Sequence, residues 1–233
     1  MGAQRTLLST CLDAVVRPVR ALDSLGSQPR PVIQGFLALA LVSAVYTVIL
    51  GVFIWREHPP LAPCVLPIAP ADLYRYQIWY QGPVFLFSTA ATALVLLGLA
   101  RLSGERAGLD VAFARVAFAT TVPWALTAMV VELCVALLLA VRVLDSKSFL
   151  AWSGAPLFMT AYQSVAMVWM GALLTVAVRC TARSRWWTSA LASLVLLVVY
   201  LAPVGLLIRK RLCLARSEAG VGKSSSLGCS CKE

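Results

Sequence analysis

Residues 32–55 have the sequence VIQGFLALALVSAVYTVILGVFIW, and no charged side chain interrupts them. The uncharged run that contains them lies between Arg30 and Arg56 and is 25 residues long. A helix needs about 20 apolar residues to cross the roughly 30 Å of hydrocarbon in a bilayer. This stretch therefore predicts a membrane-spanning helix.

Four more runs of similar length follow along the chain. Uncharged stretches of 25, 31 and 23 residues separate Arg75 from Arg101, Lys147 from Arg179 and Arg185 from Arg209, and the 26 residues between Arg115 and Arg142 carry one charge, Glu132. The predicted helices lie near 32–55, 83–100, 116–141, 156–178 and 187–208. None of the runs alternates strictly between apolar and polar residues, as a membrane barrel requires. The predicted fold class is all-α, a polytopic membrane bundle of five transmembrane helices.

The composition of the whole chain supports this class. Of the 233 residues, 60% are hydrophobic and 13% are charged, and the mean hydropathy is +0.84. A soluble domain is about half apolar and about a quarter charged. The 20 Lys and Arg residues outnumber the 10 Asp and Glu residues, but they are spread between the apolar runs. This distribution excludes a nucleic-acid partner and makes the lipid bilayer the first partner.

The basic residues also indicate an orientation, because Lys and Arg favour cytoplasmic loops. From the N-terminal tail to the C-terminal tail, the six segments outside the predicted spans hold 4, 2, 3, 2, 3 and 6 of them, so the two sides tie at 10 each. The internal loops alternate, and the N-terminal tail agrees with the richer pair. We expect a cytoplasmic N-terminus, although the cluster from Arg209 to Arg211 argues for the opposite orientation.

Three parts of the chain are predicted: an N-terminal tail over 1–31, the membrane domain over 32–208 and a basic, disordered tail over 209–233. In the first part, apolar residues recur at helical spacing, at Leu8, Leu12, Val15, Val16, Val19 and Leu22. Pro18 splits this segment, and the pattern predicts an interfacial helix beginning near Pro18, with Arg17 and Arg20 at lipid headgroups. No cleavable signal precedes the first span, so that span is the expected insertion signal.

The loops indicate two interfaces. The stretch from Arg56 to Gly82 contains five prolines, which predict a loop without helix, followed by aromatic residues that predict a headgroup belt. The prolines are Pro59, Pro60, Pro63, Pro67 and Pro70, and the outer belt comprises Trp55, Tyr74, Tyr76, Trp79, Tyr80 and Trp152. On the inner side, Trp186 and Trp187 follow three arginines, a pattern typical of contact with anionic lipid.

The sequence offers little catalytic chemistry. Its seven cysteines form no paired framework, Cys229 and Cys231 are the only close pair, and His58 is the single histidine. A phosphate-loop pattern near Gly222 is incomplete, since Ser217 stands where its first glycine belongs. We expect no catalytic, metal or cofactor site and no enzymatic activity.

Glu132 is the one charged residue inside a predicted span. A charge near the bilayer centre costs about 3 kcal/mol on insertion scales, so it normally faces the bundle and has a partner. Thr127, Tyr162 and Gln163 are the candidate partners. Three interpretations remain open: a proton or substrate contact, a protonated or hydrogen-bonded carboxyl that locks the packing, and hydration from the outer face.

Small residues at four-residue spacing predict close contacts between helices. The first span has the clearest such face, at Ser43, Thr47 and Gly51; the second offers Thr89 with Ala93, and the fourth offers Gly171 with Thr175. Proline inside two spans, at Pro123 and Pro203, predicts kinks.

Several of these features together resemble the Yip family, the Ypt/Rab-interacting membrane proteins, and especially its bacterial members. The similar parts are Arg17-Pro18-Val19-Arg20-Ala21-Leu22 before the first span, the glycine turn from Leu102 to Gly108, and the aromatic-then-proline entry from Phe113 to Pro123. About 200 residues are covered. The resemblance implies five helices, a cytosolic N-terminus and no catalytic residues. This chain lacks the long acidic N-terminal region of the eukaryotic members, which counts against a GTPase partner.

The expected function is therefore that of a non-catalytic integral membrane protein that acts through protein or lipid interaction or membrane organisation, with other membrane proteins or further copies of itself as partners. The alternative is a small-solute or ion transporter that uses Glu132 and the proline-kinked helices. An Arg-to-Lys ratio of 16 to 4 suggests a GC-rich bacterial source and hence the bacterial inner membrane. The alternative location is a Golgi or endoplasmic reticulum membrane.

Overall fold

The fold is a bundle of membrane-spanning helices with a helical N-terminal segment packed at one end. A computed structural model describes residues 6–58, 72–145, 148 and 154–208. Within this part of the chain the regular structure is helical, without strands, and five helices are long and apolar enough to cross a membrane. The predicted class, an all-α multi-pass membrane protein, is confirmed.

The described residues form eight α-helices, a 3₁₀ turn and a π segment. They are α1 (Leu7–Val16), α2 (Pro18–Ser24), a 3₁₀ turn (Leu25–Ser27), α3 (Pro31–Trp55), α4 (Leu73–Leu102), α5 (Leu109–Trp124), a π segment (Ala125–Met129), α6 (Val130–Ala140), α7 (Ala155–Ala182) and α8 (Trp186–Ile208). The third span consists of α5, the π segment and α6 as one continuous helix of 32 residues. Proline occupies the first position of α2 and α3, where its missing N–H costs nothing.

The second span is longer than predicted. We expected residues 83–100 and an extended aromatic loop before them, but α4 begins at Leu73, so Tyr74 to Tyr80 are helical. The five prolines of the preceding stretch all lie before Leu73, outside the described residues, and therefore do not interrupt α4. Pro83 lies inside α4 and removes a single donor from its hydrogen bonds. Trp79 and Tyr76 are exposed on the first turns, as an interfacial belt requires.

The third span also begins earlier than predicted, at Leu109 instead of residue 116. Gly108 caps it with an extended backbone, and Asp110 lies in its first turn, where an acidic side chain suits the helix dipole. Arg115, counted as a loop residue in the sequence, is therefore inside the helix. The π segment begins two residues after Pro123, which accounts for the expected irregularity near that proline.

The third span is the centre of the bundle. α5 packs against α3, α4 and α7, and α8 closes the bundle against α4 and α7. Every residue of α5 from Ala112 to Trp124 is buried. Small side chains allow this enclosure, because alanines alternate with larger residues along α5 and Gly35 of α3 faces the backbone of Ala114. A methyl group on Gly35 would lie 3.1 Å from the Ala114 Cα atom.

The N-terminal segment belongs to the same packed core. Pro18 divides it into α1 and α2, as predicted. The residues that face the bundle include Ala14, Ala21, Leu22 and Leu25, all fully buried. The large apolar residues of the predicted stripe point elsewhere, apart from Leu22: Leu8, Leu12, Val15, Val16 and Val19 are exposed. Ala14, Ala21, Leu22 and Leu25 thus make the contact, and most of the large apolar side chains are left on the outer face.

Candidate functional site

The intramembrane carboxyl of Glu132 is paired across two helices. Glu132 lies in the first turn of α6, directly after the π segment, and only 6% of its surface is exposed. The hydroxyl of Tyr162, on α7, donates a hydrogen bond to its Oε1 atom at 3.1 Å. The predicted pairing of Glu132 with Tyr162 is therefore present in the structure, and it joins the third span to the fourth.

Three neighbours contact Tyr162. Its hydroxyl lies 3.3 Å from the Sδ atom of Met159, and the amide of Gln163 donates to it over 3.4 Å. Phe158 packs edge-on against the ring, with 5.7 Å between the centroids. Gln163 is thus connected to the Glu132 carboxyl through the Tyr162 hydroxyl.

The Thr127 side chain forms a hydrogen bond with the backbone of its own helix. Its hydroxyl donates to the Pro123 carbonyl at 2.6 Å, four residues earlier in the same helix. This bond gives the carbonyl a partner within the π segment, where the regular ladder is disturbed. Thr127 and Glu132 therefore belong to the same stretch of helix, but the Thr127 hydroxyl bonds to its own turn.

The side chains of this cluster form hydrogen bonds that hold two helices together. A carboxyl, a phenol and an amide can exchange hydrogen bonds, and the bond between the carboxyl and the phenol joins α6 to α7. Among the described residues, no group of three His, Cys, Asp or Glu side chains could hold a metal ion. The geometry favours a structural role for Glu132.

The small-residue faces were predicted with mixed success. Thr175 donates to the Gly171 carbonyl and to the Ser193 hydroxyl on α8, each over 2.9 Å, so this pair does face a neighbouring helix. Thr89 and Ala93 are fully buried. Gly51 was wrongly placed in a contact: it is exposed, and a methyl group there would meet nothing within 4 Å.

Two glutamines that the sequence analysis did not select connect the first and second spans. Gln81 donates from its amide to the Thr47 hydroxyl at 2.9 Å and to the Ser43 carbonyl at 3.4 Å. Gln77 donates to the Tyr46 hydroxyl at 3.1 Å. Both glutamines are buried, and their four-residue spacing on α4 was the signal that could have revealed this polar seam.

Arg115 is the third residue that the sequence did not reveal. It is 6% exposed, and its guanidinium donates from Nε to the Leu22 carbonyl at 2.9 Å and from Nη1 to the Cys180 carbonyl and the Thr181 hydroxyl, each at 3.0 Å. The Asp23 carboxylate lies 3.8 Å from Nη2. Gly108 and Asp110, typical of a helix start, were the signal that this arginine lies inside a helix.

The single histidine, His58, is buried. His58 is 3% exposed and follows α3, where its ring packs against Phe53 with 5.0 Å between the centroids. Burial disfavours the charged imidazolium and lowers the pKa of His58 below its usual value. A neutral ring at the end of a span suits packing against an aromatic neighbour.

No protein-family model matches the chain, and no curated protein and no solved structure matches it. The resemblance to the Yip family therefore rests on the sequence features that were quoted for it.

Proposed function

We propose that this protein is a non-catalytic integral membrane protein that acts through contacts with lipid or with other membrane proteins. The observation that carries the proposal is the Glu132–Tyr162 hydrogen bond. The carboxyl that a proton or solute pathway would use is buried and engaged by a neighbouring helix. A residue in this setting stabilises helix packing.

The surroundings of the carboxyl support this role. Its partner Tyr162 is itself fixed by Met159, Gln163 and Phe158. The polar seam between α3 and α4 also joins two helices. Glu132, Gln77 and Gln81 thus each link two spanning helices.

A bacterial inner membrane, a cytoplasmic N-terminus and a Yip-type role in membrane organisation complete the proposal. They are supported by the high Arg-to-Lys ratio, the alternating loop charges and the quoted family features.

Small-solute transport is the second candidate, and one observation favours it. The hydroxyls of Ser88 and Thr89 and the Oε1 atom of Gln81 are buried in α4 without a hydrogen-bond partner among the described residues. An unpaired buried polar group costs about 1–3 kcal/mol, so water or a polar solute at these atoms would be stabilising. The π segment next to Glu132 adds to this, because π segments are frequent at functional sites.

Glu132→Gln separates the two functions. Glutamine keeps the size and the acceptor oxygen for the Tyr162 hydroxyl but cannot ionise. For the interaction protein we expect the free energy of unfolding in detergent to change by less than about 0.5 kcal/mol. Tyr162→Phe, which removes the donor from the same bond, should cost about 0.6–1 kcal/mol, the usual size of such a bond in a membrane.

The functional readout uses vesicles that contain the purified chain and a pH-sensitive dye. We expect an imposed pH gradient to decay equally fast with wild type, with Glu132→Gln and in vesicles without protein. A faster decay with wild type that Glu132→Gln abolishes, while the variant unfolds like wild type, would overturn the interaction role and establish a proton relay.

A further inference from the structure

We propose that α1 and α2 are inserted into the acyl layer of the leaflet on the N-terminal side, through an outward apolar face. This face consists of Leu8, Leu12, Val15, Val16 and Val19. The inference rests on the proposed lipid-interaction role and names its partner: the hydrocarbon edge of one monolayer.

The face is a continuous surface on one side of the helical segment. Leu8, Leu12, Val15 and Val16 recur at spacings of three and four and therefore share one side of α1. Leu12 is 59% and Val16 74% exposed. The opposite side of α1, with Thr10 and Ala14, is fully buried against the rest of the chain. One helix thus has the bundle on one side and unpacked large apolar groups on the other.

The position of α2 along the bundle places this face within the membrane. The Leu22 carbonyl bonds to Arg115, which lies six residues, or about 9 Å, inside the third span from Leu109. The backbone of Val19 lies beside the Cys180 thiol, two residues before α7 ends. α2 therefore runs beside the first turns of α5 and the last turn of α7, at the depth where interfacial helices lie, about 5–10 Å into the headgroup and acyl boundary.

Neighbouring residues continue the surface toward the bilayer. The first turns of α3, which α1 contacts, expose Ile33, Phe36 and Leu37. Lipid must cover this part of a spanning helix, so the outward apolar face extends a surface that is already in hydrocarbon. Arg17 and Arg20 are exposed beside it, where they suit anionic headgroups.

The depth of this face is measurable with nitroxide labels on the full-length chain. The native cysteines are replaced by serine, and Leu12→Cys, Val16→Cys or Arg20→Cys is labelled and reconstituted in vesicles of phosphatidylcholine and phosphatidylglycerol. At positions 12 and 16 we expect collisions with oxygen to exceed those with a water-soluble nickel complex by at least about threefold, as at an acyl boundary. At position 20, the headgroup control, the preference should reverse.

Two results would overturn the inference. Nickel collisions at positions 12 and 16 as frequent as at position 20 would place the face in water. Spin–spin broadening at position 12 that grows with the protein-to-lipid ratio would assign the face to a second copy of the chain. Neither result affects the proton-gradient measurement with Glu132→Gln, so failure of this inference and failure of the proposed function are distinguishable.

Discussion

The guanidinium of Arg115 connects three segments that are far apart in the sequence. Its hydrogen bonds reach α2 through Leu22 and the end of α7 through Cys180 and Thr181. Two of the three acceptors are backbone carbonyls, so the identity of those residues matters less than the reach and shape of the arginine. A planar group with several donors in fixed directions fits such a junction, and a single ammonium does not.

Arg115→Lys should therefore destabilise the N-terminal segment even though the charge is kept. One ammonium cannot reach acceptors on both sides, so we expect the free energy of unfolding in detergent to fall by about 1–3 kcal/mol. Limited trypsin cleavage within residues 17–30 should be faster than in wild type. Arg101→Lys, at an exposed arginine in the last turn of α4, is the control and should change stability by less than about 0.5 kcal/mol. Equal cleavage rates for Arg115→Lys and wild type would show that the junction does not hold the segment.

At the scale of helices, α3 and α5 approach each other through glycine. Gly35 is buried, and an added methyl group would meet the Phe113 ring at 3.2 Å as well as the Ala114 backbone. Gly51, four turns further along the same helix, is exposed on its outer side. The two glycines share a helix and a residue type, and they differ in what lies opposite.

Gly35→Leu should therefore disrupt the bundle, whereas Gly51→Leu should be tolerated. A leucine at residue 35 must push α3 and α5 apart, and we expect a cost of about 1–3 kcal/mol or more in thermal unfolding. At residue 51 we expect a change of less than about 0.5 kcal/mol. Equal losses for both variants would mean that Gly51 packs against a partner outside this chain, such as a second copy.

The boundaries of the helices show which part of the fold the sequence predicts. Charges delimit the first, fourth and fifth spans, and there the predicted ends lie within a few residues of α3, α7 and α8. The same rule placed Arg115 in a loop, because a basic residue usually marks the end of a span. Its burial depends on Leu22, 93 residues earlier, and no local pattern contains that contact. The Glu132–Tyr162 pair was predictable because intramembrane charges require partners and few polar residues were available.

For the whole molecule, orientation is the remaining prediction. Thirteen consecutive residues of α5, from Ala112 to Trp124, are enclosed by the other helices, so its direction fixes which ends of the other spans face each side. Ser103 follows α4 on the N-terminal side of the bundle, and Ser148 lies on the opposite side between the third and fourth spans. Both serines are exposed.

Ser103→Cys and Ser148→Cys form a matched pair for a membrane-impermeant maleimide. With all native cysteines replaced by serine, we expect intact cells to label position 148, while position 103 reacts only after the membrane is permeabilised. This pattern follows from a cytoplasmic N-terminus. Labelling of position 103 in intact cells would reverse the orientation.

The junction at Arg115 also determines the order in which a newly made chain matures. The third span leaves the ribosome long before the Cys180 carbonyl, 65 residues later, has been synthesised. Until the fourth span is inserted, the Arg115 guanidinium can form hydrogen bonds only with the N-terminal helices and headgroup phosphates. During that time α2 has no contact with α7. Docking of the N-terminal segment is thus completed late in biogenesis. A chain truncated before Cys180 leaves the insertion machinery with that segment not yet docked.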